Sequence, residues 1–260
     1  MKITRGRMIV ALIATALVFG AVARSQPAPD ADQFVVKTDL LYKTAGDQEL
    51  HFDYIRPRQV TVPVPVVLCI HGGGWAAGNK RDMWPTAIGL ARLGYEGVAV
   101  EYRLAPKNPY PAQVDDVKDL VRYLRAHASE LMIDPQRMGA IGNSAGGHLT
   151  LVLAETNLEN EGGFTDSEHP SVLKAAVSMA GPTDLRHHFG STADGILLNF
   201  FGKTYEQAPA IYREASPICH LSAACSPILM IHGDKDTLVP YDQATSMLSA
   251  CRKSGIPVEL

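Results

Sequence analysis

Short apolar runs rich in β-branched residues alternate with helical patterns along most of the chain. Val64–Ile70 is a continuous run of this kind, which is the pattern of a strand buried on both faces. Between it and the next run, Val98–Tyr102, the sequence Met83–Leu93 predicts a helix that ends at Gly94. Strands that alternate with helices predict an α/β fold, with a mainly parallel, doubly wound sheet and helices on both faces.

The alternation extends over the rest of the sequence. Runs around Phe34–Tyr42 and Leu50–Ile55 flank the turn-forming Ala45-Gly46-Asp47 and predict a hairpin. Behind Pro111, apolar residues recur at helical spacing: Val114, Val117, Leu120, Val121 and Leu124. A small-residue helix is predicted at Ala145–Glu155, and residues 156–171 predict a polar surface loop. The remaining predicted strands are Arg137–Gly142 (after a turn at Asp134-Pro135), Ala175–Met179, Pro227–Ile231 and Pro257–Leu260.

The N-terminal segment has the pattern of an export signal. Three basic residues precede the apolar stretch Met8–Ala23, which ends in the small residues Ala21-Val22-Ala23. We expect a signal peptide over residues 1–23, a flexible leader over 24–32, and one α/β domain over 33–260. An uncleaved anchor is the alternative, which the short apolar run disfavours because a membrane span needs about 20 residues. The expected location is therefore periplasmic or secreted, with no membrane attachment after cleavage.

Charge and cysteine content limit the partners and the redox chemistry. The net charge is −3, and loss of residues 1–23 removes three basic and no acidic residues, which leaves −6. This balance argues against nucleic acid as a partner. Cys69, inside an apolar run, predicts a buried free thiol, whereas one pair among Cys219, Cys225 and Cys251 could form a disulfide after export. No spacing predicts a metal site, and no cofactor is expected.

The sequence Gly142-Asn143-Ser144-Ala145-Gly146 places a serine between a predicted strand and a small-residue helix. A G-x-S-x-G turn in this context exposes the serine hydroxyl at the edge of a sheet, next to the N–H groups of a helix N-terminus. Ser144 is therefore a candidate nucleophile. The alternative is a plain strand-to-helix turn in which the serine caps the helix.

Two further motifs follow predicted strands. His71-Gly72-Gly73-Gly74-Trp75 exposes backbone N–H groups that could stabilise an oxyanion, and His71 itself is expected to fix the loop. A phosphate-binding loop is disfavoured because the Lys-Ser/Thr ending is absent. The stretch His232–Pro240 carries Asp236, our candidate for the acid of a serine triad, with Asp234 as the alternative.

Together with Tyr102-Arg103-Leu104-Ala105-Pro106, these motifs resemble the α/β-hydrolase esterases, in particular the hormone-sensitive-lipase-like and bacterial feruloyl- or acetyl-xylan-esterase-like groups. The resemblance runs from about Leu50 to the last residue. It implies the α/β-hydrolase fold, with Ser144 as nucleophile and Asp236 as the acid that orients a histidine. It also implies an oxyanion hole made by the N–H groups of Gly73, Gly74 and Ala145. Many members carry Asp where this chain has Asn143.

One part of this machinery has no candidate. The general base of such an enzyme is a histidine that follows the acid, yet residues 237–260 contain none. We expect that the final strand and the histidine loop lie beyond Leu260, so that the domain is incomplete at its C-terminus. Among the earlier histidines, His148 is expected to be a packing residue. His187 and His188 lie in an insertion, 185–212, that could form a lid.

The predicted function is an exported serine hydrolase that cleaves carboxylic esters through an acyl-enzyme intermediate. The substrate is a small-molecule or carbohydrate ester, in the latter case with acyl groups on the sugar. A peptidase of the prolyl-oligopeptidase type is one alternative, because it shares the sheet and the triad order. A non-catalytic binding protein with this fold is the other, because the histidine is absent. The sequence predicts no oligomeric state.

Overall fold

A computed structural model of the 260-residue chain describes residues 33–156, 170–187 and 190–260. The predicted signal peptide and leader lie outside these ranges, as do His188 and most of the loop predicted at 156–171. Within the described ranges, no helix is both long enough and apolar enough to cross a membrane.

One sheet of eight strands runs through the molecule, in the order β1-β2-β4-β3-β5-β6-β7-β8. The strands are β1 (Phe34–Ala45), β2 (Gln48–Pro57), β3 (Val64–Ile70), β4 (Glu96–Val100), β5 (Ile133–Asn143), β6 (Ala175–Met179), β7 (Ile228–Ile231) and β8 (Val258–Glu259). β1 and β2 form the predicted antiparallel hairpin, β2 pairs antiparallel with β4, and all other pairs are parallel.

Seven α-helices connect or flank the strands in the described ranges. They are α1 (Trp84–Arg92), α2 (Ala112–Ala126), α3 (Ala128–Leu131), α4 (Ala145–Glu155), α5 (Ser191–Phe201), α6 (Pro209–Glu214) and α7 (Asp242–Lys253). α1 is preceded by a 3₁₀ turn, Lys80–Met83, and its predicted stop, Gly94, has φ = 88°.

Burial on both faces of β3 explains the unbroken apolar run at Val64–Ile70. Val66, Leu68 and Ile70 pack in one core with residues of α2 and α4. The intervening Val67 and Cys69 pack in a second core with residues of α1. The helices therefore cover both faces of the sheet, as the alternation in the sequence predicts.

The boundaries of β4 and β5 differ from prediction for reasons that the structure shows. The run predicted at Val98–Tyr102 pairs as Glu96–Val100, because the strand begins two residues earlier with a buried carboxylate. The strand predicted at Arg137–Gly142 begins at Ile133, and the predicted turn at Asp134-Pro135 lies inside it. An irregularity in the β3–β5 register absorbs this turn, because Val64 pairs with Ile133 whereas Val66 pairs with Met138.

Two other expectations are corrected. The final strand, expected beyond the sequence, is present as β8, where Val258 and Glu259 pair with Ile228 and Leu229. All four cysteines are free thiols, so the disulfide considered for Cys219, Cys225 and Cys251 is absent. Burial raises the pKa of Cys251 to about 12, which keeps this thiol protonated at neutral pH.

The parallel strands place the motifs at one edge of the sheet. β3 ends at Ile70, β5 at Asn143 and β7 at Ile231, immediately before the triple-glycine loop, Ser144 and the Asp236 loop respectively. Because the carboxyl ends of parallel strands lie at the same edge, the fold brings these three segments together.

Candidate active site

Ser144 occupies a strained turn between β5 and α4. Its backbone has φ = 52° and ψ = −120°, a conformation that costs a non-glycine residue on the order of 1–3 kcal/mol. The Ser144 N–H donates to the carbonyl of Met179 at the end of β6, at 2.8 Å. The strain is thus held by the neighbouring strand, and the turn projects the serine side chain from the N-terminus of α4.

The glycines of the G-x-S-x-G sequence permit close backbone approach. A Cβ atom on Gly142 would lie 2.3 Å from the carbonyl oxygen of Gly146. A Cβ atom on Gly146 would lie 2.1 Å from the carbonyl oxygen of Ile70, the last residue of β3. No side chain fits at either position, so the turn can pack against β3 only with glycine at both.

The triple-glycine loop places unpaired N–H groups beside Ser144. Gly73 has φ = 110°, and its carbonyl accepts the N–H groups of Ala76 and Ala77. Among the described residues, no backbone acceptor pairs with the N–H of Gly73 or Gly74. Ala145 is the first residue of α4, whose N–H has no partner within the helix. No backbone acceptor among the described residues therefore competes for these three N–H groups.

His71 fixes the start of this loop. Its ring stacks on Tyr102 with 4.2 Å between ring centroids, and the Tyr102 hydroxyl donates to the His71 carbonyl at 2.9 Å. Burial lowers the pKa of His71 and favours the neutral ring. Both contacts agree with the expected role in holding the loop.

His148 joins three parts of the site. Its Nδ1 atom accepts the indole N–H of Trp75 at 3.3 Å, and its Nε2 atom lies 2.7 Å from the carbonyl of Ala215, just after α6. The side chain is fully buried, which lowers its pKa to about 4. The pattern requires a neutral ring with the proton on Nε2. His148 therefore packs behind Ser144, as expected, and is not placed to act as its base.

Ser144 lies in a mainly apolar cavity, together with Gly74 and Ala145. One wall comes from the insertion predicted at 185–212, which contributes Leu185, Ala193, Ile196 and Leu197. The insertion is anchored next to the triple-glycine loop, because Phe200 stacks on Trp75 with 4.1 Å between ring centroids.

The spacing of Ala193, Ile196, Leu197 and Phe200 is that of a helical apolar stripe. This stripe is the sequence signal for α5, and no helix was predicted there. The contribution of α5 to the cavity is therefore an unpredicted feature of the structure.

The Asp236 loop reaches the same cavity through the residues that follow the acid. Asp236 Oδ1 accepts the N–H groups of Leu238 and Val239, both at 2.9 Å, and these two residues line the cavity. Asp236 Oδ2 lies 3.8 Å from Nε2 of His232, which bonds to the Val239 carbonyl at 2.8 Å. These contacts hold the Asp236 carboxylate in a fixed position within its loop. The side chain of the alternative candidate, Asp234, is exposed.

No histidine lines the Ser144 cavity in the part of the chain that the structure describes. The described histidines outside the site have other contacts: His51 lies near Glu49 and Glu101, His127 stacks on Tyr123, His187 lies near Asp184, and His220 lies near the carbonyl of Arg213. Within the same ranges, no group of three His, Cys, Asp or Glu side chains could hold a metal ion.

Comparisons with known proteins identify the family to which the chain belongs. The family model described as BD-FAE matches residues 52–250. The probable carboxylic ester hydrolase LipM of Mycobacterium tuberculosis is 33% identical over 75% of this chain and 46% of its own length. The ethyl acetate hydrolase of Pseudomonas putida is 29% identical over 88% of this chain and 74% of its own. The chain spans about half the length of the first curated relatives that it matches.

Two solved structures of similar architecture are named as esterases. A truncated carbohydrate esterase from gut microbiota has a TM-score of 0.77 at 26% identity, over 89% of this chain and 88% of its own. Propionate-bound esterase 2 of Thermogutta terrifontis has a TM-score of 0.72 at 26% identity, over 89% and 83%. The strained serine, the triple-glycine loop, the strand order and the matched region together show that this chain belongs to the BD-FAE family and has the α/β-hydrolase fold of its esterase relatives.

Proposed function

We propose that this protein is a serine hydrolase that cleaves carboxylic esters. The observation that carries the proposal is Ser144 itself, held in a strained turn at a helix N-terminus inside an apolar cavity with Gly74 and Ala145. This is the arrangement that acyl transfer requires, with a nucleophile beside N–H donors. The names of the relatives, which include an ethyl acetate hydrolase and a carbohydrate esterase, agree with it.

The reaction proceeds in two steps. Ser144 Oγ attacks the ester carbonyl carbon while a general base takes the hydroxyl proton, and the N–H groups of Gly73, Gly74 and Ala145 stabilise the oxyanion. The tetrahedral intermediate collapses, the C–O bond to the alcohol breaks, and the alcohol leaves with the proton. Water then attacks the acyl-Ser144 ester with the same base and the same oxyanion donors, and releases the carboxylic acid.

The base of this scheme is proposed to be a histidine from a segment after Leu260. Two observations support this position. No described histidine lines the cavity, and β8 runs parallel to β7, so that the chain leaving β8 heads toward the edge of the sheet that carries the Asp236 loop. Asp236 would then accept a hydrogen bond from the ring of that histidine and orient it.

The substrates proposed are small soluble esters or acyl groups on carbohydrates, hydrolysed outside the cytoplasm. The N-terminal sequence pattern supports export, and the carbohydrate esterase among the structural neighbours supports a sugar ester. Sequencing the N-terminus of the mature protein from the native host is the direct test of export. A start near Arg24 is expected, and retention of Met1 in the purified protein would contradict cleavage.

The test of the catalytic role is the substitution Ser144→Ala in the full gene product. We expect kcat for a short-chain ester such as ethyl acetate to fall about 10⁶-fold, because the nucleophile is lost while the fold is kept. The control is Ser129→Ala, an exposed serine on α3, which should keep wild-type activity. Melting temperatures of both variants should match the wild type, because alanine keeps the Cβ atom at residue 144 and leaves the backbone strain unchanged.

Labelling by a fluorophosphonate distinguishes the alternatives. An active hydrolase should be labelled at Ser144, and the labelled peptide can be identified by mass spectrometry. Failure of the full gene product to label would favour the non-catalytic binding protein. Faster turnover of aminoacyl amides than of simple esters would favour the peptidase.

A further inference from the structure

One side chain of the helix that carries the nucleophile contacts the segment that follows the triple-glycine loop. His148 lies one turn after Ser144 in α4, and its backbone N–H donates to the Ser144 carbonyl at 3.0 Å. Its ring contacts Trp75, the residue that directly follows Gly74. His148 does not line the Ser144 cavity, and the reaction scheme above gives it no role.

Trp75 has a backbone conformation that its surroundings must support. Its φ of 58° lies in the left-handed region, which costs a bulky residue on the order of 1–3 kcal/mol. The Trp75 carbonyl accepts the N–H of Ala105 at 2.9 Å. Ala105 belongs to the motif at residues 102–106, which therefore holds the backbone of Trp75 and leaves its side chain to other contacts.

The side chain of Trp75 is buried and held in two ways. Phe200 stacks on the ring, which restrains it perpendicular to its plane but leaves it free to slide within that plane. The indole N–H donates to Nδ1 of His148 at 3.3 Å, and the two rings meet edge to face at 89°. Because this N–H is the one polar group of a tryptophan side chain, His148 provides its polar anchor.

The ring of His148 is itself fixed at both nitrogen atoms. Nε2 lies 2.7 Å from the carbonyl of Ala215, so this nitrogen carries the proton and Nδ1 is left as the acceptor for the indole. The side chain is fully buried, so water cannot replace a lost partner. A ring held in this way can transmit the position of α4 to Trp75.

We propose that His148 is a positioning residue that sets the distance between the oxyanion donors and Ser144. The inference rests on the proposed function, because that function assigns the N–H groups of Gly73 and Gly74 to the oxyanion. A shift of the triple-glycine loop relative to Ser144 would weaken the hydrogen bonds to the oxyanion, which form fully only in the transition state. Binding of the ester in its ground state would be unchanged.

The test uses two esters that differ only in the atom that accepts the hydrogen bonds of the oxyanion hole. Ethyl acetate has a carbonyl oxygen, whereas ethyl thionoacetate has a sulfur, which is larger and a weaker acceptor. In the full gene product, His148→Phe keeps a buried ring but offers no acceptor to the indole. We expect kcat to fall about 30-fold for ethyl acetate and about threefold for the thiono ester, with both KM values within about twofold.

Two variants separate the hydrogen bond from other effects of the substitution. His148→Gln can accept from the indole through its side-chain oxygen and donate to the Ala215 carbonyl through its nitrogen. Both kcat values should therefore stay within about threefold of the wild type. The control is His127→Phe, which lies before β5 at the opposite edge of the sheet from Ser144 and should change neither value.

Trp75→Phe tests the same hydrogen bond from its other partner. It keeps a ring that can stack on Phe200 and removes the indole N–H. The ratio of the two kcat values should fall about as far as in His148→Phe. The double variant should lose no more than either single variant, because both substitutions remove one interaction. Trp75→Phe also decides the question if His148→Phe does not fold.

Three outcomes would overturn the proposal. Equal losses on both esters in His148→Phe would assign the ring a purely structural role, and full activity on both would leave it none. A loss in His148→Gln as large as in His148→Phe would assign the effect to the shape of the ring.

Failure of the proposed function gives a different result. If the wild type hydrolyses neither ester, nitrogen-15 NMR decides whether His148 positions the loop. The chain has two tryptophans, and the indole N–H of the second, Trp84, donates to Asp53 at 2.9 Å and serves as an internal control. In His148→Phe the Trp75 indole N–H should exchange faster with solvent, and the Gly74 amide signal should shift. An unchanged Gly74 signal would overturn the inference.

Discussion

At the scale of single residues, the site depends on positions where no other side chain fits. Gly146 is the clearest case, because a Cβ atom there would lie 2.1 Å from the Ile70 carbonyl oxygen and 2.5 Å from that of His71. Both atoms belong to the backbone that leads into the triple-glycine loop. A side chain at 146 would push this backbone away from Ser144.

We therefore expect Gly146→Ala to lower the free energy of unfolding by about 3 kcal/mol, the upper range for overpacking, and to reduce kcat. Urea denaturation and ester hydrolysis measure the two effects. The control is Gly195→Ala in α5, where a Cβ atom would meet nothing within 4 Å. That substitution should gain about 0.5–1 kcal/mol, because alanine is the better helix former. Equal stability of the two variants would contradict the argument.

The lowered pKa of His148 predicts that this residue destabilises the fold in acid. Its pKa is about 4 in the folded protein and 6.5 in the usual case, so the unfolded chain takes up a proton that the buried ring resists. The contribution of His148 to the free energy of unfolding should fall by about 3 kcal/mol as pH decreases from 6.5 to 4. In His148→Gln this part of the pH dependence should disappear, which urea denaturation at pH 7 and pH 4.5 can measure. An unchanged acid slope would contradict the assignment.

At the scale of elements, the insertion is a packed wall of the site. Phe200 of α5 is fully buried against Trp75, and its carbonyl accepts the N–H of Tyr110 at 2.9 Å. Just after the insertion, the carbonyl of Ala215 bonds to Nε2 of His148. The position of Trp75, and with it the triple-glycine loop, therefore depends on α5.

Phe200→Ala should lower the free energy of unfolding by about 3–5 kcal/mol, since it removes a buried ring from a close-packed contact. It should also reduce kcat for small esters, because Trp75 directly follows the triple-glycine loop, to which we assign the oxyanion donors. Leu198→Ala, two residues away, is the control, since Leu198 is 44% exposed and its loss should cost less than about 0.5 kcal/mol. A Phe200→Ala variant with full activity would show that the loop holds its geometry without α5.

Local patterns predicted the parts of the fold whose requirements are local. The turn at Ser144 needs glycines on either side and a strand before it, and all of these are visible in sequence. The contacts of Trp75 with His148 and Phe200 join residues far apart in the chain, so they leave no periodic pattern. Asp134-Pro135 was predicted as a turn and lies within β5, because a register irregularity lets the ladder continue around it. The partner that a buried side chain finds is decided by the tertiary fold.

At the scale of the whole molecule, a buried acid changes stability with pH in the direction opposite to His148. Glu96 begins β4 with its carboxylate fully buried, and neither oxygen has a hydrogen-bond partner among the described residues. Arg56 Nη1 lies 3.8 Å from Oε2. Burial raises the pKa of Glu96 from 4.5 to about 8, although Arg56 acts in the opposite direction. Burial raises the pKa of Glu155 in the same sense.

Glu96 and His148 make opposite contributions to the pH dependence of stability. An acid whose pKa is raised by folding loses stability as pH increases from 4.5 to 8, because the unfolded chain releases a proton that the folded protein keeps. His148 gives the opposite slope between pH 4 and 6.5. These two contributions cancel between pH 4.5 and 6.5, so the raised pKa of Glu155 should leave a net fall in the free energy of unfolding as pH increases above 4.5.

Glu96→Gln isolates the contribution of Glu96 to the pH dependence of stability, because it keeps the shape of the side chain and removes its ionisation. The variant should gain stability over the wild type at pH 8, by up to about 5 kcal/mol, and differ little at pH 4.5. Urea denaturation at pH 4.5, 6 and 8 provides the comparison, with Glu130→Gln as an exposed control that should follow the wild type at every pH. If Glu96→Gln is instead less stable than the wild type at pH 8, the ion pair with Arg56 outweighs burial, and the alkaline decline must come from other groups.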